Sequence, residues 1–166
     1  VVIIATAATS QFGEDSWATI VGNVKNGNTS AYEVGDTKQV ALTSTDTDIA
    51  GIYRVRISNM STPEVCNTEG FSQTACGFVI EFVDIISDHA MNSTDTNVGG
   101  WGASEMRSYV NNEILNSFPT GLKKLIIDTK VVSSHGSDDS SNFVTTDKLY
   151  LLATAEVWEN GEDYVI

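Results

Sequence analysis

Ile52-Tyr-Arg-Val-Arg-Ile57 alternates between apolar and charged side chains, and Phe78-Val-Ile-Glu-Phe-Val-Asp-Ile-Ile86 is apolar throughout apart from Glu81 and Asp84. The first has the period-two pattern of a half-buried strand, with Arg54 and Arg56 on the face opposite Val55 and Ile57. The second reads as a central strand covered on both faces. Strands of both kinds call for a sheet with helices packed against it.

Upstream, Gly35-Asp36 reads as a turn leading into a strand near Thr37–Thr43. Trp17, Ile20, Val21 and Val24 follow helical spacing, with Asp15 or Ser16 as cap and Gly27 closing the end. Downstream, Ser104 opens a helix that continues through Met106, Tyr109, Val110 and Glu113-Ile114. Pro119 interrupts it, and Leu122, Leu125 and Ile126 form a second short stripe. Lys130–Ser133 is a strand candidate, Ser134–Ser141 a polar loop, and Lys148-Leu-Tyr-Leu-Leu152 a further strand before a final turn through Val157 and Trp158. The pattern predicts an α+β fold with a small mixed or antiparallel sheet and two or three short helices.

Two segments are expected: an apolar N-terminal stretch, 1–12, and a single α+β domain, 13–166. Val1-Val-Ile-Ile-Ala-Thr-Ala-Ala-Thr-Ser10 is too short to span a bilayer, and Ala5-Thr-Ala7 resembles a signal-peptidase site. A signal-peptide remnant, the end of a pilin-like helix and a first strand all fit it.

Nine basic residues against 22 acidic ones give a net charge of −13. That balance argues against nucleic acid, whose binding rests on Lys and Arg displacing counterions, and against anionic membrane surfaces. Cys66 and Cys76 stand ten residues apart in a loop rich in Gly, Ser and Thr, a spacing wrong for a CxxC redox or zinc motif. A local disulfide suits the loop; two buried free thiols or a reactive thiol are the alternatives.

Met91-Asn-Ser-Thr-Asp-Thr-Asn-Val-Gly-Gly-Trp-Gly-Ala-Ser-Glu-Met-Arg107 resembles a motif of an uncharacterised domain family of bacterial surface and secreted proteins. The resemblance extends to Val34–Lys38, Tyr53–Ser58, Phe78–His89, Asn116–Leu122 and Asp147-Lys-Leu-Tyr-Leu-Leu-Ala-Thr-Ala-Glu-Val-Trp158. Members of that family commonly continue into a second half with a Trp-Trp-Leu-Arg-Ser type motif and a C-type-lectin-like character. Val1–Ile166 lacks that motif, so the resemblance implies an incomplete C-type-lectin-like domain. Some members carry pilin-like N-termini, but Val1–Ser10 lacks the corresponding Gly-Phe-Thr-Leu-Glu pattern.

Candidate ligand-binding residues are Asp95, Asn97, Trp101 and Trp158. Asp95 and Asn97 sit in a loop able to offer oxygens to Ca²⁺, although calcium takes about six to eight of them and one carboxylate is few. Gly99-Gly100 and Trp101 equally describe a turn anchored to the core. Tyr32, Trp17, Trp101 and Trp158 are candidates for stacking on sugars if exposed, although Trp17 and Trp101 sit in apolar patterns that place them in the core. His89 and His135 would need carboxylates beside them to bind metal. No catalytic group, metal site or obligatory cofactor is expected. The reading is an extracellular or cell-surface bacterial module for binding or adhesion, without catalytic activity, whose partners are other surface proteins, glycans or copies of itself. The alternative is a self-assembling subunit of a pilus-like filament.

Overall fold

The computed structural model describes residues 10–134 and 142–152. The expectations placed on 1–9, on His135 and on Trp158 fall outside the described residues.

Strands β1 (Thr37–Leu42) and β2 (Gly51–Asn59) pair antiparallel, in register from Thr37 opposite Arg56 to Leu42 opposite Gly51. Strand β3 (Val79–Phe82) pairs antiparallel with the other side of β2, with Glu81 opposite Arg56 and a bulge between Ile57 and Asn59. The order β1-β2-β3 makes β2 the central strand and β3 an edge, which corrects the expectation for 78–86. The apolar content of that run has a different cause. Phe78 and Ile80 pack on a core cluster of Phe12, Ile20, Tyr32 and Ile57, while Phe82 and Ile86 pack on a second one around Val40, Leu42, Val55 and Phe118. The run feeds two clusters in succession along one face, and Ile85 is left 86% exposed.

Helices α1 (Gln11–Glu14) and α2 (Trp17–Lys25) close the first cluster. Ser16 caps α2, its Oγ accepting from Thr19 N at 3.1 Å. At the other end Gly27 takes φ +70°, and Asn28 N and Gly27 N donate to the Asn23 and Val24 carbonyls, the paired bonds of a Schellman stop. Phe12, inside the apolar stretch 1–12, is fully buried and meets Trp17 and Tyr32 edge-on at 5.9 and 6.0 Å. Tyr32 is buried as well, so it presents no ring to a sugar.

A run of short helical segments covers the second cluster: α3 (Gly100–Ala103), α4 (Glu105–Tyr109), a π turn (Val110–Ile114), α5 (Leu115–Ser117) and α6 (Thr120–Lys123). These are more numerous and shorter than the two or three helices expected. Strands β4 (Thr129–Ser134) and β5 (Asn142–Asp147) then form a separate antiparallel pair, from Thr129 opposite Asp147 to Ser134 opposite Asn142. The fold is therefore α+β with two antiparallel sheets. The strand expected at 148–152 is displaced upstream to β5, which is rich in β-branched Val144, Thr145 and Thr146. Lys148 N and Leu149 N instead donate to Asn111 Oδ1, both at 3.1 Å, so a side chain takes the place of a strand partner.

Cys66 and Cys76 are joined in a disulfide, and neither is a free thiol. The loop they close lies against the second sheet. Gln73 N donates to Lys130 O at 2.8 Å, Val132 N to Ser72 Oγ at 3.2 Å, and Tyr150 Oη to Thr74 O at 2.9 Å. At its base, Asn59 Nδ2 reaches the Ser61, Ala75 and Gly77 carbonyls. The cystine loop thus joins an insertion between β2 and β3 to the outer edge of β4.

Candidate functional site

The Met91–Arg107 motif folds back on itself. Asn92 Nδ2 donates to Thr96 O (2.8 Å), Ser93 Oγ to Glu105 Oε1 (2.6 Å), and Glu105 N to Asn92 Oδ1 (3.2 Å). The Ser93 hydroxyl holds the Glu105 carboxyl below its usual range. Gly99 ends the loop at φ +84°, and a Cβ there would sit 2.4 Å from that of Ala103, so only glycine fits. Asp95 and Asn97 are exposed in this loop. Asn97 O accepts from Gly100 N within the turn. Among the described residues, no group of three or more His, Cys, Asp and Glu side chains is arranged to hold a metal ion. His89 stacks on Tyr109 with centroids 4.2 Å apart.

Trp101 points inward. It is 8% exposed, and its indole Nε1 donates to Asp147 Oδ2 at 2.9 Å. Its ring is core, as its apolar setting predicts, and is not presented to a ligand. Thr145 Oγ1 donates to the same oxygen at 2.6 Å, while Arg107 Nε donates to Oδ1 at 2.8 Å and Arg107 Nη1 to Gly102 O at 3.2 Å. Asp147 is 4% exposed and carries three donors, the satisfied state that a buried carboxylate requires. The two stretches that the sequence singles out, Met91–Arg107 and the one beginning at Asp147, therefore meet at one carboxylate.

Beside this pair opens a cleft of about 380 Å³, lined in part by Gly102, Ala103 and Asp147. Its wall is a helix face: Ser104, Arg107, Ser108, Asn111 and Asn112 recur at i, i+3, i+4, i+7 and i+8. Ser104 caps α4, its Oγ accepting from Arg107 N and donating to Trp101 O. The π turn widens the backbone where Asn111 and Asn112 stand, and their amides donate to the Arg107 (3.2 Å) and Ser108 (2.7 Å) carbonyls. Asn111 also donates to Leu149 O at 2.8 Å, tying this helix to the segment after β5.

None of the cleft-lining residues was a sequence-level candidate. The apolar stripe of this helix is legible in the sequence, and the polar stripe beside it is the signal that marks the cleft. Of the four candidate ligand residues, Asp95 and Asn97 share an exposed loop, Trp101 lies in the core, and Trp158 is outside the described residues.

The fold and site define a disulfide-stapled α+β domain with two antiparallel sheets and a polar cleft against a π-interrupted helix. The chain belongs to the family described as a domain of unknown function, DUF6273, which matches residues 79–165. All residues of the cleft and of the Asp147 cluster lie inside that stretch. No curated protein and no solved structure matches the chain.

Proposed function

We propose that the chain is an extracellular module of a bacterial surface protein that binds or adheres and does not itself catalyse. The Cys66–Cys76 disulfide carries this reading. Such bonds persist where the surroundings are oxidising, and this one holds a loop that structurally joins the two sheets. The cleft supports binding over catalysis, because the carboxylate in it is already committed to three donors, whereas a general acid or base needs a group free to exchange a proton. Partners are other surface proteins or glycans.

Thiol labelling of native material under denaturing conditions, with fractionation of the source cells, tests the compartment. The expected result is no labelling of Cys66 and Cys76 and recovery at the cell surface or in the medium. Two labelled thiols in a cytosolic fraction would sink the proposal.

A self-assembling filament subunit is the second reading, favoured by the outer edge of β3. Arg54 opposite Val83 and Arg56 opposite Glu81 take the inward backbone groups, so those of Ile80 and Phe82 point away from β2. Two copies pairing along β3 about Glu81 would set like charges opposite one another. A filament contact on this edge would therefore pair β3 with a different segment of the next copy rather than with β3 itself.

A further inference from the structure

We propose that the cleft beside Arg107 takes a neutral, hydroxyl-rich ligand of the pyranoside class, held by Arg107, Ser108 and Asn112. This rests on the binding-module reading and assigns it a place and a chemistry. The volume lies in the range of small-molecule sites, about 300–1,000 Å³, but such sites are usually apolar. Here every lining residue except Gly102 and Ala103 carries a polar or charged side chain, so a purely apolar ligand leaves those groups unmatched.

The ligand class follows from which hydrogen-bonding groups are already used. Asp147 accepts three bonds, Ser104 Oγ donates one and accepts one, and Asn111 donates two and accepts two. Among the described residues, Arg107 Nη2, the Ser108 hydroxyl hydrogen and Asn112 Oδ1 have no partner. Asn112 Nδ2 donates to Ser108 O and Oγ, which turns Oδ1 the other way. Two donors and an acceptor on one helix face match adjacent hydroxyls, each of which both gives and takes a bond.

Charge narrows the class further. The Arg107 guanidinium is matched by Asp147 at 2.8 Å, and the chain carries a net −13, so the field around the cleft does not favour an anion. The one carboxylate is taken, so a cation finds no unspent partner. The π turn is an independent pointer: such turns recur at functional sites, and this one sits where Asn111 and Asn112 enter the cleft.

The test is an amide-resolved NMR titration of the whole chain with neutral methyl glucopyranosides, mannopyranosides and galactopyranosides, and with methyl glucuronopyranoside as the anionic counterpart. Saturable shifts confined to residues 102–112 with at least one neutral glycoside are expected. Ser108→Ala with Asn112→Ala should weaken them about tenfold or more, since two exposed contacts are removed and Arg107 keeps its place. Absence of shifts at 102–112 with every neutral glycoside overturns the proposal, as does a response to the glucuronoside alone. Glycoside binding that maps elsewhere and survives the double substitution also overturns it, while leaving the binding-module reading intact.

Discussion

The carboxylate of Asp147 accepts from an indole, a hydroxyl and a guanidinium, and losing the acceptor is not equivalent to losing one donor. Asp147→Ala strands the buried Trp101 N–H and the partly exposed Arg107, and should cost about 2–4 kcal/mol in urea unfolding. Thr145→Val keeps the shape of the side chain and forfeits one donor to the same carboxylate, at about 1 kcal/mol. Equal losses from the two variants would mean that the carboxylate does not organise the cluster. Tyr32 offers a pH test. Its hydroxyl donates to Asp15 at 2.6 Å and accepts from Asn23 at 2.7 Å, and burial followed by the Asp15 carboxylate raises its pKa. The folded chain therefore keeps the phenol proton after the unfolded chain has released it. Its contribution to stability is complete below about pH 10 and is lost as pH rises through the folded pKa. Tyr32→Phe should remove this part of the alkaline decline, measured as the difference between the two chains' unfolding free energies at neutral and alkaline pH.

The cystine loop and β4 form the next level of organisation. Ser72 and Gln73 occupy the outer edge of β4, and Tyr150 reaches Thr74. Opening a ten-residue loop by Cys66→Ser with Cys76→Ser should cost about 2–3 kcal/mol. The loss should be uneven. Hydrogen exchange is expected to rise at 129–134 while 37–42 and 51–57 keep their protection, and uniform loosening of both sheets would contradict the latch. Sequence and structure agree most closely among these elements where one residue type forces one conformation: Ser16 and Ser104 as caps, Gly27, Gly35 and Gly99 at positive φ, and the alternation of 52–57. β3 was misplaced because an apolar run looks the same whether it faces two layers or crosses two clusters. β5 was missed because Asn111 takes the backbone groups that a strand at 148–149 would need. The cleft stayed hidden since a π turn leaves no residue-type mark, and Ser, Arg and Asn at helical spacing resemble any solvated face.

Across the chain, acidic charge and a divided core act together. The two clusters lie along one sheet face, and the second sheet is attached through the cystine loop, Asn111 and the Asp147 cluster rather than through a shared ladder. Partners approaching this surface meet a field that attracts cations and is indifferent to neutral solutes, and added salt weakens the first preference and not the second.

Residue 79, where the family's match begins, is also the first residue of β3. Evolutionary kinship and mechanical integrity are thus drawn on different lines in this chain. A piece trimmed to the shared stretch would start on a strand deprived of β2, leave the flank of β4 bare, and carry neither half of the cystine. Any recombinant dissection has to respect the second line, because the matched stretch leaves out β2 and the cystine loop against which its own strands are held.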